Sequence, residues 1–85
     1  IADINDAVLG KIVGVNGTID SININNGNVF IKLYDGTGRI DVVMFERNAR
    51  NNNDIYNAKE GQNITVTGKV AVYKTGLEII AESIK

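Results

Sequence analysis

Apolar and polar side chains alternate with a period of two through much of this chain. Val29, Ile31 and Leu33 fall on one face of an extended run, and Phe30, Lys32 and Tyr34 fall on the other. Beyond Asp35-Gly36-Thr37-Gly38, Ile40, Val42 and Met44 alternate in the same way with Arg39, Asp41 and Val43. The two runs predict strands two and three, joined by a tight polar turn. A bulge near the end of the third strand would send Phe45 to either face.

The flanking segments follow the same logic. Val8 to Val15 is rich in β-branched residues and interrupted by Gly10 and Gly14, which predicts a first strand bent in the middle. Its continuation raggedly through Thr18 and Ile19 to Ile22 is favoured over a hairpin at Asn16-Gly17, the competing reading. Asn23 to Asn28 reads as a polar loop. Glu46 to Glu60 changes character and carries a run of asparagines. It predicts a short helix starting at Ala49 and capped by Asn48, or an irregular loop, with Ile55 and Tyr56 as anchors. Ile64, Val66, Val70 and Val72 then alternate with polar positions in a long fourth strand. Lys74-Thr75-Gly76 turns the chain into a fifth strand, Leu77 to Ile84. Five strands in 85 residues are too few for two large sheets, so the expected class is all-β, a small closed barrel with a short helix or loop between strands three and four.

The outward face of strands two and three is the place where chemistry concentrates. It carries Phe30, Lys32, Tyr34 and Arg39, two flat rings beside two cations, which is equipment for stacking unpaired bases and holding their phosphates. The plain alternative for the rings is packing on the barrel surface. For Lys32 and Arg39 it is a cross-strand ion pair, with Asp41 the obvious partner. Asp41 would repel a phosphate or accept a hydrogen bond from a base amino group.

Composition narrows the remaining classes. The chain has no cysteine and no histidine, which removes disulfides, the thiolate metal sites and the commonest general base. Carboxylates Asp3, Asp6, Asp20, Asp35 and Asp54 are scattered without a spacing that enforces a shared site, and Ser21 and Ser83 lack a histidine partner. The expectation is therefore a non-catalytic domain with no cofactor, no metal and no small-molecule substrate. No apolar run reaches membrane-spanning length, so a membrane is not an expected partner, and the lack of thiols fits a cytoplasmic protein. A net charge of −1 argues against a uniformly basic binder and leaves open a few cations gathered on one face. Starting at Ile1, the sequence reads as a single domain over residues 1–85 excised from a longer protein.

The order and spacing of several segments carry a family resemblance. Gly10-Lys11-Ile12-Val13, Phe30 through Val42, Lys59 through Val70, and Gly76-Leu77-Glu78-Ile79 together resemble an OB-fold, a five-stranded Greek-key barrel common among nucleic-acid binders. The Asp-Gly-Thr-Gly turn and the closing Gly-Leu-Glu-Ile are similar to archaeal replication protein A-type binders of single-stranded DNA. Phe30 matches the stacking phenylalanine of the anticodon-binding domains of class II aminoacyl-tRNA synthetases. Tyr34 stands where those domains usually carry Arg, and Asp41 where Gln is frequent, so this second resemblance implies general base stacking.

The resemblance implies a ligand lying across strands two and three, between the first and last hairpin loops. Lys11, Lys69, Tyr73 and Lys74 would then extend the surface built by Phe30, Lys32, Tyr34 and Arg39. Asn23, Asn25, Asn26 and Asn28 fit the first loop, where turn chemistry is their simpler role. Arg47 and Arg50 read as solvated surface charges. The expected partner is single-stranded nucleic acid, DNA ahead of RNA. The reading from a different class is a protein-interaction or assembly module, contacting other domains of a parent protein.

Overall fold

The computed structural model describes residues 1, 4–52, 55–74 and 76–85. Asp3, Asp54 and Thr75, named above, lie outside the described residues, as does the side chain of Tyr73. Five strands form, β1 (Ile12–Asn25), β2 (Asn28–Tyr34), β3 (Arg39–Met44), β4 (Asn63–Tyr73) and β5 (Gly76–Ile84). One helical turn, α1 (Glu46–Ala49), and a 3-10 turn (Ile55–Asn57) lie between β3 and β4, and a second 3-10 turn (Asp6–Val8) precedes β1. The strands close into a barrel in the order β1-β2-β3-β5-β4. All contacts are antiparallel except β3 with β5, which run parallel over Asp41–Val43 and Glu78–Ile80. The fold is the expected five-stranded barrel with a short helix between the third and fourth strands.

Period-two alternation explains the interior. Val29, Ile31 and Leu33 of β2 and Ile40, Val42 and Met44 of β3 all turn inward, where they meet Ile19, Val66, Ile79 and Ala81. Each fully buried branched side chain contributes on the order of 1.5–3 kcal/mol. No buried side-chain nitrogen or oxygen is left unpartnered among the described residues. No helix among them is long and apolar enough to cross a membrane.

The two Asn-Gly pairs have different fates. Asn16-Gly17 lies inside β1, as expected, because β1 changes partner there. It pairs with β4 from Ile12 to Thr18 and with β2 from Thr18 to Asn25. At this crossing a Cβ on Gly17 would sit 2.9 Å from both the Leu33 Cγ and the Tyr34 carbonyl oxygen, so the strand can coil over β2 only where a side chain is missing. A bulge follows at Asp20, between the Ile19–Leu33 and Ser21–Lys32 pairs. The second pair, Asn26-Gly27, is the hairpin turn, with φ of 54° and 82°. Both residues are left-handed, which is what a two-residue hairpin matching the strand twist requires. The polar loop expected over Asn23 to Asn28 is therefore mostly strand.

The segment after β3 also corrects the sequence reading. The helix starts at Glu46, not Ala49, with Phe45 at its N-cap. Phe45 has no capping oxygen, and the Asn28 side chain supplies one by accepting from the Glu46 N–H at 2.9 Å. Asn48 does not cap this helix. Its amide donates to the Ala81 carbonyl, and Asn52 both donates to the Ile84 carbonyl (2.9 Å) and accepts from the Ile84 N–H (2.8 Å). Two asparagines thus stand in for a neighbouring strand along the part of β5 that β3 does not reach. Ile55 is buried, as expected of an anchor. Tyr56 holds on differently, donating from its hydroxyl to the Gly27 carbonyl at 2.8 Å.

Candidate nucleic-acid interface

Strand register sorts the outward side chains into rows that run around the barrel. One row holds Asn23 of β1, Phe30 of β2, Val43 of β3, Ile80 of β5 and Lys69 of β4. The next holds Ser21, Lys32, Asp41, Glu78 and Ala71 in the same strand order. A third, at the end of the hairpin, holds Thr18, Tyr34 and Arg39. The first two rows enclose a groove of about 460 Å³. Its lining includes Ser21, Asn23, Phe30, Lys32, Asp41, Val43, Phe45 and Glu78. Val43 faces outward yet is only 4 % exposed, so it forms an apolar floor, and the rings of Phe30 and Phe45 stand beside it 43 % and 48 % exposed.

The charges here are mixed. Lys32 faces Asp41 across the β2–β3 pair, and Asp41 faces Glu78 across β3–β5. Burial pushes the Glu78 carboxyl above its ordinary value, and the nearby negative charge of Asp41 pushes it the same way. Lys32 has no ion-pair partner within 4.0 Å among the described residues.

Arg39 departs from expectation. Its partner is Asp20, not Asp41: the Nε donates to the Asp20 carboxylate at 3.0 Å. The guanidinium carbon also lies 5.1 Å from the centre of the Tyr34 ring, within cation–π range. Asp20 is on β1 and Arg39 on β3, so this ion pair passes over the outer side of β2. None of Asp20, Tyr34 and Arg39 lines the groove. The face read as one surface is therefore two: a groove holding Phe30 and Lys32, and a separate Asp20–Arg39–Tyr34 cluster.

The other expected residues are spread more widely. Lys69 is exposed in the Phe30 row, two strands from Val43. Lys11 is exposed just before β1 and Lys74 is exposed in the β4–β5 turn with φ of 56°. Neither lines the groove. The Tyr73 backbone pairs with Gly76 at the same turn. Arg50 pairs with Glu46 at 3.6 Å on the helix surface, and Arg47 is exposed.

Four groove residues were not singled out from the sequence as site residues: Ser21, Phe45, Val43 and Glu78. The two-residue alternation carried Val43 to the outer face, but its burial depends on the rings beside it. Glu78 needed the parallel β3–β5 register, which no local pattern encodes. At the far end of the hairpin, Asp35 organises the turn by accepting from the Thr37 N–H (2.8 Å) and hydroxyl (2.6 Å).

Comparison with known proteins places this geometry. A family model described as an OB-fold nucleic acid binding domain matches residues 13–85. The aspartate–tRNA(Asp) ligase of Picrophilus torridus is 34% identical over 85 residues, covering 96% of this chain and 20% of the relative. The chain thus spans about a fifth of the length of that curated protein. Among solved structures, asparaginyl-tRNA synthetase from Entamoeba histolytica superposes with a TM-score of 0.80 at 22% identity, over 96% of this chain and 22% of the other. A replication protein A heterotrimer bound to single-stranded DNA superposes with a TM-score of 0.73 at 21% identity, over 91% and 57%.

Proposed function

The chain belongs to the family of OB-fold nucleic acid binding domains, and from that premise we propose that it binds single-stranded nucleic acid in the β2–β3 groove without catalysing a reaction on it. The observation that carries the reading is the pair of half-exposed rings, Phe30 and Phe45, flanking the Val43 floor. A base inserted there stacks on one ring or between both, and each such contact contributes about 1–3 kcal/mol. Asp41 and Glu78 accept hydrogen bonds from amino or imino groups at the base edge. Ser21 and Asn23 offer both donors and acceptors, and Lys32 meets a phosphate or a base oxygen.

An unpaired RNA loop is favoured over DNA. The likeness to replication protein A, at 21% identity, speaks for the fold, whereas the relative at 34% identity is a tRNA ligase. The replication protein A-type reading, binding of single-stranded DNA, is the alternative within the same site. The whole parent protein's activity would belong to other domains.

Fluorescence anisotropy with labelled single strands of about ten nucleotides, within the site sizes of such barrels, tests the proposal. RNA is expected to bind more tightly than DNA of the same sequence, and Phe30→Ala to weaken binding about 5- to 150-fold. Equal binding by wild type and a Phe30→Ala/Phe45→Ala double variant sinks the groove as the site. Preservation of the groove as a docking surface for protein then becomes the better account.

A further inference from the structure

The groove ends where the Asp20–Arg39 pair crosses β2, and this placement has a consequence for ligand length. Asp20 protrudes from the β1 bulge, at the level between Leu33 and Lys32. Arg39 starts opposite Tyr34 and reaches back across that strand to meet it. Phe30 and Lys32 lie on one side of the crossing and Tyr34 on the other. Tyr34 is 41 % exposed, so it has free ring surface, yet it does not line the groove. Resting on the nucleic-acid reading above, the geometry points to Asp20 as the residue that sets ligand length. By holding Arg39 over β2 it limits the site to the Phe30–Phe45 groove and keeps the Tyr34 ring from serving as a further stacking position.

The physical basis is a weak latch in a strategic place. The side chains of Arg39 and Asp20 are 62% and 46% exposed, and exposed ion pairs hold loosely. Without the Asp20 charge, Arg39 keeps its place beside the Tyr34 ring through the cation–π contact but no longer spans the strand. Its guanidinium then becomes free to meet a phosphate or stack on a base. Ring and guanidinium together would add one stacking position in line with Phe30 along β2. Asp20 acts through Arg39 and does not itself touch the ligand.

Oligocytidylates from dimer to octamer, titrated by anisotropy against wild type, Asp20→Asn, Tyr34→Ala and the double variant, test this. In wild type, Tyr34→Ala is expected to leave affinity within about twofold at every length, while Asp20→Asn strengthens the longest strands about fivefold or more, the scale of one stacked base. Dimer affinity should stay unchanged, and adding Tyr34→Ala should abolish the gain. Glu60→Gln, which removes an exposed charge at the turn before β4, controls for simple electrostatics. An Asp20→Asn gain equal at all lengths and matched by Glu60→Gln overturns the inference. So does a loss on Tyr34→Ala alone comparable to that of Phe30→Ala. Neither result touches the groove reading, which fails separately if the Phe30→Ala/Phe45→Ala double variant binds as wild type does. The Arg39 Nε–H resonance supplies a ligand-independent check: it should shift and exchange faster in Asp20→Asn. If it does not, the latch is absent in solution and the inference fails whether or not any strand binds.

Discussion

Glu78 shows how one side chain ties binding to stability. Its neighbours are Asp41 on β3 and Ala71 on β4, so burial and a like charge both disfavour its ionised form. In the unfolded chain neither influence operates, and the carboxyl ionises at lower pH. Stability is therefore lost as pH rises from the unfolded value through the raised folded one. Glu78→Gln removes that penalty. Its melting temperature is expected to exceed wild type at pH 7 and to converge with it well below about pH 4, where the Glu78 carboxyl is protonated in the folded and the unfolded chain alike. Calorimetry at the two pH values decides the matter, and a variant less stable at neutral pH shows that Glu78 is held by contacts worth more than its desolvation costs. Phe45 makes a second point at this scale. Alternation could not assign its face, because it stands where strand ends and helix begins. The Asn28 side chain caps that junction at the Glu46 N–H, and the ring lines the groove.

At the scale of elements, the strands were legible and their edges were not. Val29 through Met44 announced a hairpin because one face is apolar throughout, and a one-residue slip would expose that entire face. The asparagines of residues 48 to 52 announced only a departure from regular structure. Their function depends on which strand lies beside them, and that is a property of barrel closure rather than of local sequence. Asn52 supplies both a donor and an acceptor to the Ile84 backbone from a part-buried position. Asn52→Ala leaves that N–H and C=O without partners, at a cost of about 1–3 kcal/mol per group where water cannot reach. A loss of about 2–3 kcal/mol in urea-denaturation stability is expected. Asn51→Ala is the comparison: its amide reaches the Arg47 carbonyl at an exposed site, 3.3 Å away, and should change stability by less than about 0.5 kcal/mol. Equal losses from the two changes would mean that the β5 edge does not depend on its asparagine partner. The Asn-Gly pairs teach the same lesson. Identical dipeptides became a strand crossing and a hairpin turn, because Gly17 sits under the Leu33 side chain while Asn26-Gly27 sits between paired strand ends.

At the scale of the whole molecule, charge placement sets the mode of binding. The chain carries a net charge of −1, and the groove sets Lys32 against Asp41 and Glu78. Arg39 is tied to Asp20 outside the groove. A ligand here gains most from its bases meeting rings and acceptors, and little from its phosphates meeting cations. Counterion release is then small, because each neutralised phosphate on a single strand contributes only about −0.7 to the slope of log affinity against log salt. One or two contacts, from Lys32 and from Lys69 at the margin, give an expected slope between about −0.7 and −1.5. Lys32→Ala should flatten it by about one contact, while Phe30→Ala should lower affinity at every salt concentration and leave the slope unchanged. Titrations from low to high salt separate these outcomes. A slope steeper than about −3 would require several phosphates to be neutralised at once. The groove has no set of cations to do that, so such a result would move the binding surface elsewhere on the barrel.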